Sequence, residues 1–219
     1  MGPKDRRTRE REETKSRILD AAREMFVQDG IEAVTMREIA KRIEYTPTAI
    51  YHHFRDKQAL IEELCRVDFQ ALGNAFQRLG RIEDPTERLR RLGLAYVDYA
   101  LAYPSHYRFM FMTVKPPISA SALGISEEQP DSHAYGVLRA TVAAGIEAGR
   151  FRPEFTDVDE LAQVLWAGVH GIVSLHIVKG GKGDHIPWRD PRETARAMLD
   201  VQMRGTLRTS PSRSPNGQP

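Results

Sequence analysis

Apolar residues recur at helical spacing along most of the chain, and no segment shows the strict alternation of a half-buried strand. Ile18, Leu19, Ala22, Met25 and Phe26 make the first stripe, on a helix predicted over residues 13–28, with Gly30 as its stop. Met36, Ile39, Ala40 and Ile43 mark a second, short helix. At its start Thr35 and Glu38 have the spacing of a capping box, each side chain answering a backbone N–H of the other residue. Thr46-Pro47 opens a third helix, running to about Phe54, because Thr caps well and Pro loses nothing at the first helical position. Ala49, Ile50 and Phe54 face inward on it, which leaves Thr48, Tyr51 and His52 to face out. A long helix follows over residues 56–80, with Leu60, Ile61, Leu64, Leu72, Phe76 and Leu79 turned inward.

Beyond it the period continues. Asp84-Pro85-Thr86-Glu87 starts a helix reaching Tyr103, Pro104 breaks it, and a short helix runs on to Met112. Residues 115–130, with Pro116, Pro117 and Pro130, read as a loop. Further helices are predicted over 131–149, 156–178 and 190–206. The penultimate one is apolar around most of its circumference, from Leu161 to Ile177, and must be covered on most sides. The fold class is therefore all-α, with a three-helix domain over residues 15–60 and a helical bundle over 61–208. Residues 1–14 carry mixed charges with nothing apolar between Pro3 and Ile18, and are expected to form a mobile arm. Residues 209–219, rich in Ser, Pro and Gly, are expected to be a disordered tail.

Composition narrows the function. The chain has 219 residues, 41% hydrophobic and 28% charged, as in ordinary globular proteins. A formal net charge of +2 means that any nucleic-acid contact must come from a local basic face. Cys65 stands alone, which excludes an internal disulfide and fits a reducing cytoplasm. The sequence shows no apolar run of about 18 residues and no signal peptide, so neither membrane nor export is indicated. No nucleophile–base grouping, metal cluster or nucleotide loop stands out, and Gly180 to Gly183 with Lys182 lacks phosphate-loop spacing. The chain is read as no enzyme, with no cofactor and no metal.

Two short helices joined by a tight turn form a helix-turn-helix, whose second helix enters the major groove of DNA. Thr46, Pro47, Thr48, Tyr51 and His52 would form the recognition surface, with Arg37 and Lys57 on phosphates. On spacing alone, an ordinary helical hairpin with a polar outer face fits as well.

From residue 17 to residue 60 the chain closely resembles the DNA-binding domain of the tetracycline-repressor (TetR) family of transcriptional regulators. The resemblance rests on Ile18-Leu19-Asp20-Ala21-Ala22, Phe26, Gly30, Thr35, Ile39-Ala40, Thr46, Tyr51-His52-His53-Phe54, Lys57 and Leu60. The family usually places Gly in the turn where this chain has Glu44; a left-handed Glu44 costs roughly 1 kcal/mol. The resemblance implies a homodimer joined through the last two helices, placing paired recognition helices on a palindromic double-stranded operator. It also implies repression as the default, relieved by a small molecule, with the 56–80 helix as the lever between the domains. Trp166-Ala-Gly-Val-His170-Gly171, Tyr103-Pro104 and Tyr107-Arg108-Phe109-Met110-Phe111 resemble a TetR subgroup marked by Trp, His and Gly. Tyr96, Tyr99, Tyr103, Tyr107, Met110, Trp166 and His170 are accordingly the candidates for binding an apolar or aromatic effector, with core packing as the plainer reading. A helical interaction or small-molecule-binding module without DNA binding is the alternative function.

Overall fold

Nine α-helices and one 3₁₀ turn make up the described part of the computed structural model, residues 3–125, 133–180 and 185–208. They are α1 (Pro3–Asp29), α2 (Met36–Arg42), α3 (Pro47–Tyr51), α4 (Lys57–Gln77), α5 (Pro85–Ala102), α6 (Pro104–Phe111), α7 (Ala134–Glu147), α8 (Val158–Lys179) and α9 (Pro191–Thr206). The expected tail at 209–219, residues 126–130 of the expected loop, residues 131–132 of the helix expected after it, and residues 181–184, including Lys182, lie outside the described residues. Among the described residues there is no strand, only an isolated antiparallel bridge between Phe151 and Leu207. The all-α class holds.

The arm expected to be mobile over residues 1–14 is instead helical from Pro3, as the first turns of α1. Its charges are the reason. Arg6 lies 3.3 Å from Glu10 and Arg9 lies 3.5 Å from Glu13, pairs at i,i+4 that each add a few tenths of a kcal/mol among good helix formers.

The chain divides into two compact units, and the first joins residues 1–71 to residues 103–133. The helix-turn-helix therefore sits in a larger body than the stretch 15–60. Its core collects Ile18, Phe26, Ile39, Ile50, Leu60 and Leu64, and Phe109 of α6 joins them, stacked on Phe26 at 6.3 Å. Lys115 holds the end of α6, its ammonium donating to the carbonyls of Phe109 (2.6 Å), Met110 (3.0 Å) and Thr113 (3.0 Å). Beneath the core edge, Arg23 and Asp68 form a buried two-point pair: Nε donates to Oδ2 and Nη2 to Oδ1, both at 2.9 Å. Burial works against the Arg23 charge, Asp68 overrides it, and the guanidinium is held above its ordinary range. Lys15 of α1 adds a 2.6 Å contact to Glu63 of α4.

The second unit contains residues 72–102 and those from 134 on. In it α8 packs along α5, α7 and α9, burying Leu161, Leu165, Val169 and Val173. The expectation of no apolar run of about 18 residues is corrected here: by length and composition alone α8 is apolar enough to cross a membrane, and one side of it packs on α5, α7 and α9. Gly168 allows one of them, since a Cβ there would come within 2.5 Å of Met198 Sδ on α9.

The turn between α2 and α3 explains how the chain manages without glycine. Glu44 adopts φ 60°, alone among the described non-glycine residues. Tyr45 N–H donates to Ala40 O at 2.9 Å and Glu44 N–H to Lys41 O at 3.2 Å, the paired bonds of a Schellman motif. Replacing Glu44 by Gly relieves the left-handed strain, set against the greater freedom of an unfolded glycine. The Glu44→Gly variant is expected to gain up to about 1 kcal/mol, seen as a higher urea midpoint at unchanged slope. A midpoint that fell would show that the Glu44 side chain itself holds the turn.

Candidate nucleic-acid interface and effector pocket

The helix-turn-helix is built by local chemistry. Thr35 Oγ1 accepts from Glu38 N–H at 3.2 Å, and Glu38 Oε2 accepts from Thr35 N–H at 2.7 Å, which completes the capping box of α2. The hydrogen bonds from Thr35 hold the Glu38 carboxyl below its ordinary range. Thr46 caps α3 by accepting from Ala49 N–H at 3.3 Å, with Pro47 in the first turn. Ile50 is fully buried and Phe54 nearly so, which turns Thr46, Pro47, Thr48, Tyr51 and His52 to solvent on one continuous surface. Tyr51 is 51% exposed, far more than a tyrosine kept for packing. Arg37 is exposed on α2.

Lys57 has a second role that the spacing did not reveal. Its ammonium donates to Ile31 O at 2.6 Å and to Val34 O at 2.9 Å, so two of its three protons fasten the α1–α2 connection to the start of α4. Arg17 lies on the other side, its guanidinium 5.2 Å over the Tyr45 ring in the turn.

In the second unit Trp166, His170, Tyr135, Asp159, Gln163 and Ala167 line an open cleft of about 540 Å³. Residues 159, 163, 166, 167 and 170 share one face of α8, and Tyr135 approaches from α7. Trp166 packs edge-on against His170 at 5.8 Å and lies 6.2 Å from Tyr135. Behind the wall, Tyr96 Oη meets His170 Nδ1 at 2.9 Å. Burial lowers the pKa of His170, which favours the neutral imidazole. At the mouth, Asp159 Oδ1 accepts from Arg139 Nε at 2.8 Å and from Tyr135 Oη at 3.0 Å.

Of the seven candidate effector residues, Trp166, His170 and Tyr96 come together here. Tyr99 is buried in the same unit. Tyr103, Tyr107 and Met110 belong to the first unit: Tyr103 is half-exposed beside His106, Tyr107 is fully buried 5.2 Å from Phe111, and Met110 is buried. Sequence reasoning missed Tyr135, Asp159 and Gln163. Asp159 looked like a first-turn acid, although the spacing 159, 163, 166, 170 would have put it on the face of Trp166. No group of three or more His, Cys, Asp or Glu suited to a metal occurs among the described residues.

Comparison with known proteins agrees with this geometry. The family model described as bacterial regulatory proteins, tetR family, matches residues 18–64, and a tetracyclin repressor-like C-terminal domain model matches residues 89–202. The HTH-type transcriptional regulator UidR of Escherichia coli (strain K12) is 36% identical over 90 residues, 41% of this chain and only 40% of UidR. The HTH-type transcriptional repressor KstR2 of Mycobacterium tuberculosis is 29% identical over 160 residues, 65% of this chain and 70% of KstR2. A solved bacterial regulatory protein in the tetR family from Rhodococcus RHA1 superposes with a TM-score of 0.66 at 26% identity, covering 87% of this chain and 95% of that one. The second model alone accounts for more than half of the chain, and the first falls on the helices whose caps and exposed face are described above; the chain belongs to the tetR family of bacterial regulatory proteins.

Proposed function

We propose that this chain is a ligand-responsive transcriptional repressor that acts in the cytoplasm as a homodimer on a palindromic operator. The exposed face of α3 carries the reading: hydroxyls and an imidazole on a helix whose apolar side is fixed in the core. KstR2 is a transcriptional repressor, and regulators of transcription rather than enzymes recur among the relatives. Arg37→Ala is expected to weaken all duplexes alike and to lower the salt slope by about 1 per subunit. Thr48→Ala or His52→Ala is expected to change preference among sites by roughly 1–3 kcal/mol where the side chain meets a base edge. Lys57 is a poor probe, because its loss also frees the Ile31 and Val34 carbonyls. Unchanged site selection from a random duplex pool in both the Thr48 and the His52 variant removes α3 from the interface.

Dimerisation is read from what α8 and α9 leave uncovered. Val164, Leu175 and Val178 of α8 and Val201 of α9 are exposed, with Val201 at 70%. Met203 of α9 is buried within its own unit and adds nothing to this surface. A second copy is the cover that this apolar surface calls for. Val164→Glu with Val201→Glu is expected to convert a dimer to a folded monomer in light scattering at micromolar concentration; a parent already monomeric there overturns the assignment.

The cleft beside Trp166 is the proposed effector site. An aromatic wall and few polar groups suit an apolar or aromatic molecule, which acts on DNA only through its different affinity for two dimer states. With an apolar fluorescent dye as probe, Trp166→Ala is expected to lower affinity about tenfold while operator binding without dye stays at the parental level. A large fall in melting temperature with unchanged dye affinity below it makes Trp166 a core residue only.

A further inference from the structure

The N-terminal extension of α1 has two electrically different sides. Arg11 stands two turns before Ile18 and Arg7 three turns before it, so both continue the line that Ile18 places in the core. Lys15 stands two turns before the buried Ala22, on the same side. Along this line the residues change from apolar to basic where the protein core ends. The other side behaves differently: Arg6 and Arg9 are matched by Glu10 and Glu13, and Glu13 stands in line with the exposed Asp20. Arg7 and Arg11 enter no ion pair among the described residues. The acids of the extension thus neutralise one face and leave the other positive.

Position decides what that face meets. Lys15 is held to Glu63 at 2.6 Å, and Arg17 lies over Tyr45 in the turn before α3, so α1 passes close beside the helix-turn-helix. His53, just past the end of α3, has its basicity lowered by burial and, next, by the charge of Arg11. Arg11 stands one turn before Lys15 on this stretch of α1, on the way out past the helix-turn-helix, and the helix carries Arg7 about 6 Å further along its axis. A basic row that leaves the protein next to a recognition helix matches a phosphate backbone in charge and direction.

We propose that the inner face of the α1 extension, through Arg7 and Arg11, is a second, sequence-independent DNA contact on the phosphates of the same duplex whose major groove receives α3. This rests on the regulator reading above. The residues supply affinity and register without base selection, since guanidinium–phosphate contacts carry no sequence information. They also explain how a chain of formal charge +2 can bind a polyanion: the charge is segregated by face rather than accumulated overall.

The test uses the full chain and two duplexes: one recovered by the parent protein from a random pool, and a scrambled sequence of equal composition. Arg7→Ala with Arg11→Ala should reduce the slope of log affinity against log salt by about 2 per bound protomer, equally on both duplexes. The parent then loses about tenfold more affinity per protomer than the variant between 50 and 200 mM salt. Arg6→Ala with Arg9→Ala removes the same charge from the outer face and should leave the slope near that of the parent. Circular dichroism is expected to show both variants folded, because all four positions are exposed and alanine favours helix. An unchanged slope in the inner-face variant, or an equal fall in the outer-face variant, overturns the proposal while the regulator reading stands. A parent that binds neither duplex brings down both.

Discussion

The buried pairing of Arg23 with Asp68 is the constraint on which the DNA-binding unit depends. Asp68 has no solvent exposure, and a carboxylate there is tolerable only because the guanidinium meets both of its oxygens. An apolar contact between α1 and α4 could slide by a fraction of a turn at little cost. A two-point polar contact cannot, so it fixes the rotation and the height of α1 against α4. Lys15 and Glu63 then meet, Arg17 reaches Tyr45, and His106 of α6 comes within 3.8 Å of the same carboxylate. Removing one partner would leave the other buried and uncompensated, at a cost of about 3–5 kcal/mol.

What was legible in the sequence is what short-range chemistry decides. The Thr35–Glu38 box, the Thr46-Pro47 start and the αL position at Glu44 each involve residues within a few positions of one another, and all three appear in the structure. The inward set on α3 was readable because Ile50 and Phe54 stand one turn apart. Long-range pairing was not readable. Phe109 has the look of any residue in an aromatic run, and nothing nearby in sequence says that it stacks on Phe26. Asp68, between Val67 and Phe69 on an apolar helix, carried a signal that only the distant Arg23 makes intelligible.

The first fourteen residues went wrong for a different reason. Dense mixed charge without apolar residues resembles a solvated chain, but charge order matters as well as content. Arg6–Glu10 and Arg9–Glu13 fall on i,i+4 spacing, and a helix already anchored at Ile18 needs no new nucleus to propagate backwards through them. At the effector cleft the aromatic wall was visible as Trp166 and His170, while its polar rim was hidden. Asp159 has two structural uses, as a first-turn acid on α8 and as the acceptor for Tyr135 and Arg139, and the first conceals the second.

The unit that carries the helix-turn-helix draws its core from both ends of a long interval, with Phe109 and the Lys115 cap arriving after α5 has been made. During synthesis, α1 to α4 emerge well before the segment that closes over Phe26. At about 5–20 residues per second, that interval lasts a few seconds. For that time the nascent chain displays an apolar face that the finished protein conceals. The core beneath the helix-turn-helix is thus completed last by a segment that leaves the ribosome only after α5, although α1 to α4 precede it in the chain.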